Sequence, residues 1–479
     1  MTTDLASVPP SHINDTLKTS QINHLVNSGR SLVRSETAVS PPPIALLVFW
    51  TVAFLTMIFG HYQISFRLNL TYKVLTVLVC VLAPLTPGFM SLLAKRSVLY
   101  LLVFELVLIV GCLTGYTGSP SDLIRVSSQP VVMFRVLPFM LCGYTLAAYP
   151  RSERWFIGLL VALFAAITFP DALVLLKGTA SGKLRERFLI EAYDQASALA
   201  LTSAMVNVSV AALLLALAGC RLYDSRRRIV RWLVAAPQAV LLSLSITAGF
   251  TAAAVLFMWC GLTSILFAPA RTLRFRLTLL LFTTVVVPAG FYALQFAAGE
   301  AGGSLAKIYR RVDGVRQLIM GQQVENSSEV ASGRFELAAH SLSSFAKSPL
   351  IGLGKGRQGS ERGGDTDTIG GHSFLLDSLG QRGLLGTLPL IMWLWSLASI
   401  SWRCLSRERS WRASAGLSFV LTLVVAFIIN PYFLGYLALN YVIFLWFGFI
   451  LGDETRIAKA QAHERERRLA IPPPLRAAG

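Results

Sequence analysis

The chain has 479 residues, 54% of them hydrophobic and 14% charged, with a formal net charge of +18 and a mean hydropathy of +0.60. That balance is too apolar for a water-soluble globule and points to a polytopic membrane protein. The positive charge is dealt out in short clusters between apolar runs, whereas a nucleic-acid surface gathers it with aromatics on one solvated face, so no nucleic-acid partner is expected.

Residues 1–43 are polar, end in Pro41-Pro42-Pro43 and lack a short apolar core before a cleavage site. They read as an uncleaved cytoplasmic N-terminal tail. A hydrocarbon core needs roughly 20 apolar residues per helical crossing. Apolar runs at 44–60, 73–94, 98–117, 129–149, 155–177, 196–219, 230–247, 250–268 and 276–296 give nine helices within 44–296. Three more, at 383–402, 413–430 and 433–452, fill 383–452, and 453–479 reads as a cytoplasmic C-terminal tail. The fold expected is therefore all-α, with about twelve transmembrane helices and a long outer loop of short helices, 297–382, between the ninth and the tenth.

The basic clusters support that sidedness, because Lys and Arg concentrate in cytoplasmic connections. Lys95-Arg96, Arg151 with Arg154, Arg226-Arg227-Arg228, Arg271 with Arg274, and Arg403 with Arg412 all fall on the side of the two tails. Lys177, Lys183, Arg185 and Arg187, before the sixth helix, fall on the other. A basic cluster on the translocated side opposes the trend, and binding of an anionic ligand is the reason that fits.

Within the outer loop, Phe335, Ala338, Leu342 and Phe345 recur at helical spacing after Ser332-Gly333, and Pro349 ends that helix. A second helix is expected to start near His372 and to turn into the tenth crossing around Gly383. Gly354-Lys355-Gly356-Arg357-Gln358-Gly359 fits a dinucleotide fingerprint formally, but no strand precedes it, so a substrate-accommodating loop is the better reading. Asp365 and Asp367 in this loop read as solvated carboxylates, and the six cysteines show no paired spacing that would suit zinc.

Three groups of residues carry candidate chemistry. His372 follows Gly370-Gly371, which permits close backbone approach, and imidazole is the side chain suited to proton transfer near neutral pH. Arg334, Arg187 and Arg185 stay charged and match phosphate oxygens bidentately, which suits a diphosphate. Inside the apolar spans, Glu105, Arg135 and Asp171 are costly unless paired. Arg135 and Asp171 lie at similar depths from the outer ends of the fourth and fifth helices and are expected to form a structural pair, with Glu105 nearer the inner end.

Ser332-Gly333-Arg334, then Pro349-Leu350-Ile351-Gly352-Leu353-Gly354, then His372-Ser373 followed after nine residues by Gly383-Leu384-Leu385-Gly386, resembles the outer loop of the bacterial O-antigen ligase and polymerase superfamily. The pattern His-(Asn/Ser/Gln), nine residues, Gly-x-x-(Gly/Thr/Tyr) is that of the ligase branch. The resemblance implies a GT-C-like glycosyltransferase of the inner membrane with a periplasmic active site. It implies transfer of a glycan from an undecaprenyl-diphosphate carrier to a sugar hydroxyl of lipid A-core in lipopolysaccharide biosynthesis, inverting, with no metal and no cofactor. His372 matches the essential histidine, Arg334 the loop arginine, and Arg187, less well Arg185, the arginine before the sixth helix. Many members carry Ser-Arg-Gly between helices seven and eight, where this chain has Ser245-Ile246-Thr247-Ala248-Gly249, so no arginine is offered there. The rival readings are a repeat-unit polymerase of the same superfamily and a polyisoprenoid-glycan transporter. A transporter would place its polar site at the bilayer midplane, between repeats that this sequence does not show.

Overall fold

The computed structural model describes residues 43–61, 66–114, 136–149, 152–168, 205–213, 216, 251–267, 273, 277, 334–353, 373–429 and 441–470. Residues Met1–Ile44 separate as a unit of their own, and Ala45–Gly479 form the second. All regular structure among the described residues is helical. In chain order the helices are α1 (Ile44–His61), α2 (Phe66–Leu85), α3 (Phe89–Leu93), α4 (Arg96–Thr114), α5 (Val136–Ala148), α6 (Ser152–Leu163), α7 (205–213), α8 (Thr251–Leu266), α9 (Arg334–Lys347), α10 (Phe374–Glu408), α11 (Trp411–Ile429) and α12 (Tyr441–Ala470). A π-helical turn, Phe164–Thr168, continues α6.

Two of these, α10 and α11, are long and apolar enough to cross a membrane, and α1, α2, α5 and α6 contain shorter apolar helices. The outward faces are apolar as well. Leu70, Val74, Val77, Val81 and Leu85 are exposed along α2, and Leu388, Ile391, Met392, Trp395 and Trp402 along α10. In water such continuous apolar stripes would be a liability, whereas hydrocarbon solvates them.

The expected helix over 73–94 is broken. Pro87 has no N–H to donate and Gly88 takes φ 95°, so the chain turns at Thr86–Gly88 before the short α3. A Cβ on Gly88 would stand 3.2 Å from the Tyr144 ring, so the turn is also a packing point.

The core is aromatic. Trp393, Trp446, Phe419, Phe444, Phe447 and Phe156 are fully buried, with Phe419 stacked on Trp446 at 5.1 Å and Phe156 edge-on to it at 5.2 Å. Polar groups join helices within this core. Ser418 of α11 bonds to Thr263 at 2.8 Å and Ser264 at 2.7 Å on α8, and Trp50 of α1 donates to Thr145 of α5 at 2.9 Å. Between apolar helices, hydroxyls of this kind and small residues supply the adhesion that the hydrophobic effect supplies in water. Gly448 and Gly452 of α12, spaced by four, run against the backbone of α5 opposite its own Gly143.

At the far end of α10 from Ser373 the charged residues meet. Arg412 stands 3.0 Å from Asp453, both almost fully buried, and donates to the Ala147 carbonyl at 2.9 Å. Arg456 joins Asp453 at 2.9 Å and Glu408 at 2.5 Å, while Glu454 pairs with Lys95 at 3.4 Å and Arg403 at 3.0 Å. Thus Lys95, Arg403 and Arg412, from two clusters that the sequence assigns to one side, gather with Arg456 at one end, around two acidic residues of α12.

Candidate functional site

The loop segment after α9 and the first turns of α10 form one backbone unit. Leu384 N–H donates to the Pro349 carbonyl at 2.8 Å, Leu385 N–H to Leu350 at 3.0 Å, and Leu353 N–H to Gly380 at 2.9 Å. The first two are possible because Gly383 interrupts the helix at φ 60°, ψ −162°, which turns those N–H groups outward from the helical ladder. A Cβ on Gly383 would stand 2.4 Å from the carbonyl carbon of Leu350, and one on Gly352, at φ 70°, would stand 2.3 Å from that of Gln381. The glycines of the two motifs are therefore where the two strands of chain touch.

α10 starts at Phe374 because Ser373 caps it: the extended Ser373 backbone lets its hydroxyl accept from Leu376 N–H at 3.3 Å. The same hydroxyl lies 3.4 Å from the Phe427 carbonyl of α11, to which it donates. Phe374 packs against Phe427 at 4.8 Å and Phe104 of α4 at 6.1 Å. Asp377, one turn on, accepts from Ser341 of α9 at 2.8 Å and so ties the loop helix to the same turn.

Arg334 is the first residue of α9. His372 immediately precedes the capping Ser373 in sequence and lies, with Arg185, Arg187, Arg135 and Asp171, outside the described residues. His340, on α9, is exposed.

Sequence reasoning overlooked Arg382. It sits one residue before the kink, only 5% exposed, with its guanidinium carbon 4.1 Å over the Phe104 ring. Its Nη1 donates to Gln381 at 3.1 Å and reaches Ser378 at 3.5 Å. The signal was present, since an arginine directly before an apolar run reads as an interfacial anchor or as a buried charge. Only the backward reach of a helical side chain toward the preceding turn decides between them.

No family model matches the chain, and no curated protein matches it significantly.

Proposed function

We propose that this chain is a membrane glycosyltransferase of the O-antigen ligase type. It takes a glycan from undecaprenyl diphosphate and joins it to a sugar hydroxyl of lipid A-core on the periplasmic face of the inner membrane. One observation carries the reading: two of the segments on which the resemblance rests, Pro349–Gly354 and Gly383–Gly386, are joined by backbone hydrogen bonds from Leu384 to Pro349 and Leu385 to Leu350, with Gly383 at the contact. About twelve crossings with both termini cytoplasmic complete the proposal. The long apolar helices, the outward apolar stripes and the charged cluster at the far end of α10 support it.

The chemistry follows from the donor. A glycosyl diphosphate already holds a good leaving group, and Arg334 and Arg187, with Arg185, stabilise the charge that develops on it. The acceptor hydroxyl oxygen bonds to the anomeric carbon as the bond to the diphosphate oxygen breaks. The electron pair leaves with the diphosphate and the hydroxyl proton passes to His372. Direct displacement inverts the anomeric centre.

Mass analysis of glycolipids from a deletion strain tests the activity. Long polymer stranded on its carrier, with bare lipid A-core, is the expected result. Single repeats on the core would instead make the chain a polymerase, and unchanged glycolipids would end both readings. In purified protein, His372→Ala should lower transfer by about 10²–10⁴-fold while donor binding persists. His340→Ala should be mild, and near-parental transfer by His372→Ala would remove it from this role.

A further inference from the structure

Arg382 of α10 is 5% exposed, and its guanidinium carbon lies 4.1 Å over the Phe104 ring of α4. Burying a charge is expensive unless other groups hold it, and the face of that ring is one of them. Gly386 makes room for the arrangement. A Cβ there would stand 2.3 Å from the Arg382 Cβ and 3.1 Å from Val107 of α4, so a larger residue would crowd the Arg382 side chain out of its place.

The ring that bears Arg382 also touches the start of α10. Phe104 packs on Phe374, Phe374 on Phe427, and the Phe427 carbonyl receives the Ser373 hydroxyl. From the buried cation to the residue next to His372 there is an unbroken series of contacts. We propose that Arg382 is a positioning residue for the transfer site: it clamps the kinked start of α10 to α4 through Phe104, and the clamp fixes the Ser373 cap, the residue that follows His372 in sequence. The inference rests on the glycosyltransferase reading for its functional half and on the Phe104 contacts for its structural half. Arg382 acts through Ser373 and not on substrate.

The test uses the full-length protein in nanodiscs, with Arg382→Gln and Arg382→Lys. Two readouts are taken: backbone hydrogen exchange across 373–385, and glycan transfer resolved into kcat and acceptor KM. In Arg382→Gln, exchange across 373–385 should quicken while that of α11 stays parental. Its kcat should fall by about 10- to 10²-fold, the scale of a small misplacement, with binding of a lipid-diphosphate analogue unchanged. If Arg382→Gln does not fold, Arg382→Lys carries the same comparison, since it keeps the charge but loses the planar contact with Phe104. Parental exchange across 373–385 in the arginine variant overturns the clamp, whatever the protein catalyses. Quickened exchange with parental kcat overturns the positioning role and leaves the proposed activity standing. A parent protein without transfer overturns the activity, while the exchange result still judges the clamp.

Discussion

Gly448 lies so close to Met140 that a Cβ on it would stand 1.7 Å from the Met140 carbonyl oxygen. The contact is reciprocal, because a Cβ on Gly143 would stand 1.9 Å from the Leu445 oxygen, and Gly452 meets Tyr144 at 2.3 Å. Helices α5 and α12 thus touch backbone to backbone, a mode of adhesion that small residues permit between apolar helices. Gly448→Ala should lower the thermal midpoint in detergent, at a cost of about 1–3 kcal/mol or more, since backbone on the facing helix cannot rotate away. Gly158→Ala and Gly261→Ala have nothing within 4 Å and should be neutral or stabilising by up to about 1 kcal/mol. Equal midpoints for Gly448→Ala and Gly261→Ala would contradict the close contact.

At the kink of α10, Gly383→Ala meets two penalties. Its φ/ψ region belongs to glycine at about 1–3 kcal/mol for other residues, and its Cβ collides with Leu350. The expected result is release of Pro349–Leu353 from α10, seen as faster proteolysis of that segment, together with reduced transfer. Gly352→Ala should do the same from the other side of the contact. Unchanged cleavage in both would show that the interlock does not hold the loop.

The Arg412–Asp453 pair is buried from both sides, and Arg456 also reaches Asp453, so removing Asp453 takes one carboxylate away from two arginines. Asp453→Asn should cost about 3–5 kcal/mol, and Arg412→Met/Asp453→Leu much less than the sum of its single changes. A double-mutant cycle on detergent unfolding measures this, and strict additivity would deny the coupling. The neighbouring Lys95–Glu454 pair is partly exposed, and its loss should be small.

Lysine keeps the charge of Arg334 and Arg187 but loses the bidentate fork. Arg→Lys at either position should weaken use of the lipid-diphosphate donor substantially, and Arg→Ala more so. Titration of each purified variant with a lipid-diphosphate analogue checks the assignment. Parental affinity in both alanine variants would show that the diphosphate is held elsewhere.

Helix type was legible because long apolar runs admit little else, and among the described residues so were the approximate spans expected at 44–60, 98–117, 250–268, 383–402 and 413–430. The start of α10 near His372 and its turn at Gly383 were readable from the motif and the onset of apolarity. The break at Pro87-Gly88 was readable in principle, but the apolar count over 73–94 outweighed it. What the sequence hid were relations across helices. Arg382 was passed over, because counting along one helix does not show that its side chain reaches the Phe104 ring of another. The spacing of Gly448 and Gly452 was visible, yet nothing local says which backbone lies opposite. The helical span of α12 past residue 452 escaped for a similar reason: Asp453, Glu454 and Arg456 look like the start of a solvated tail until Arg412, Lys95, Arg403 and Glu408 are seen to meet them.

That last helix has a practical consequence. Ile457 is buried, Ala458–Glu466 are exposed, and the helix runs on to Ala470, roughly 20 Å farther at 1.5 Å per residue. Lys459, His463, Glu464, Arg465 and Glu466 interrupt any continuous apolar side, so the segment has no face with which to recline on lipid. It stands off the bundle as a stalk. A fluorescent domain or an antibody epitope grafted after Ala470 is therefore carried clear of both the α5–α12 contact and the start of α10, and it can be used to handle the protein without touching either.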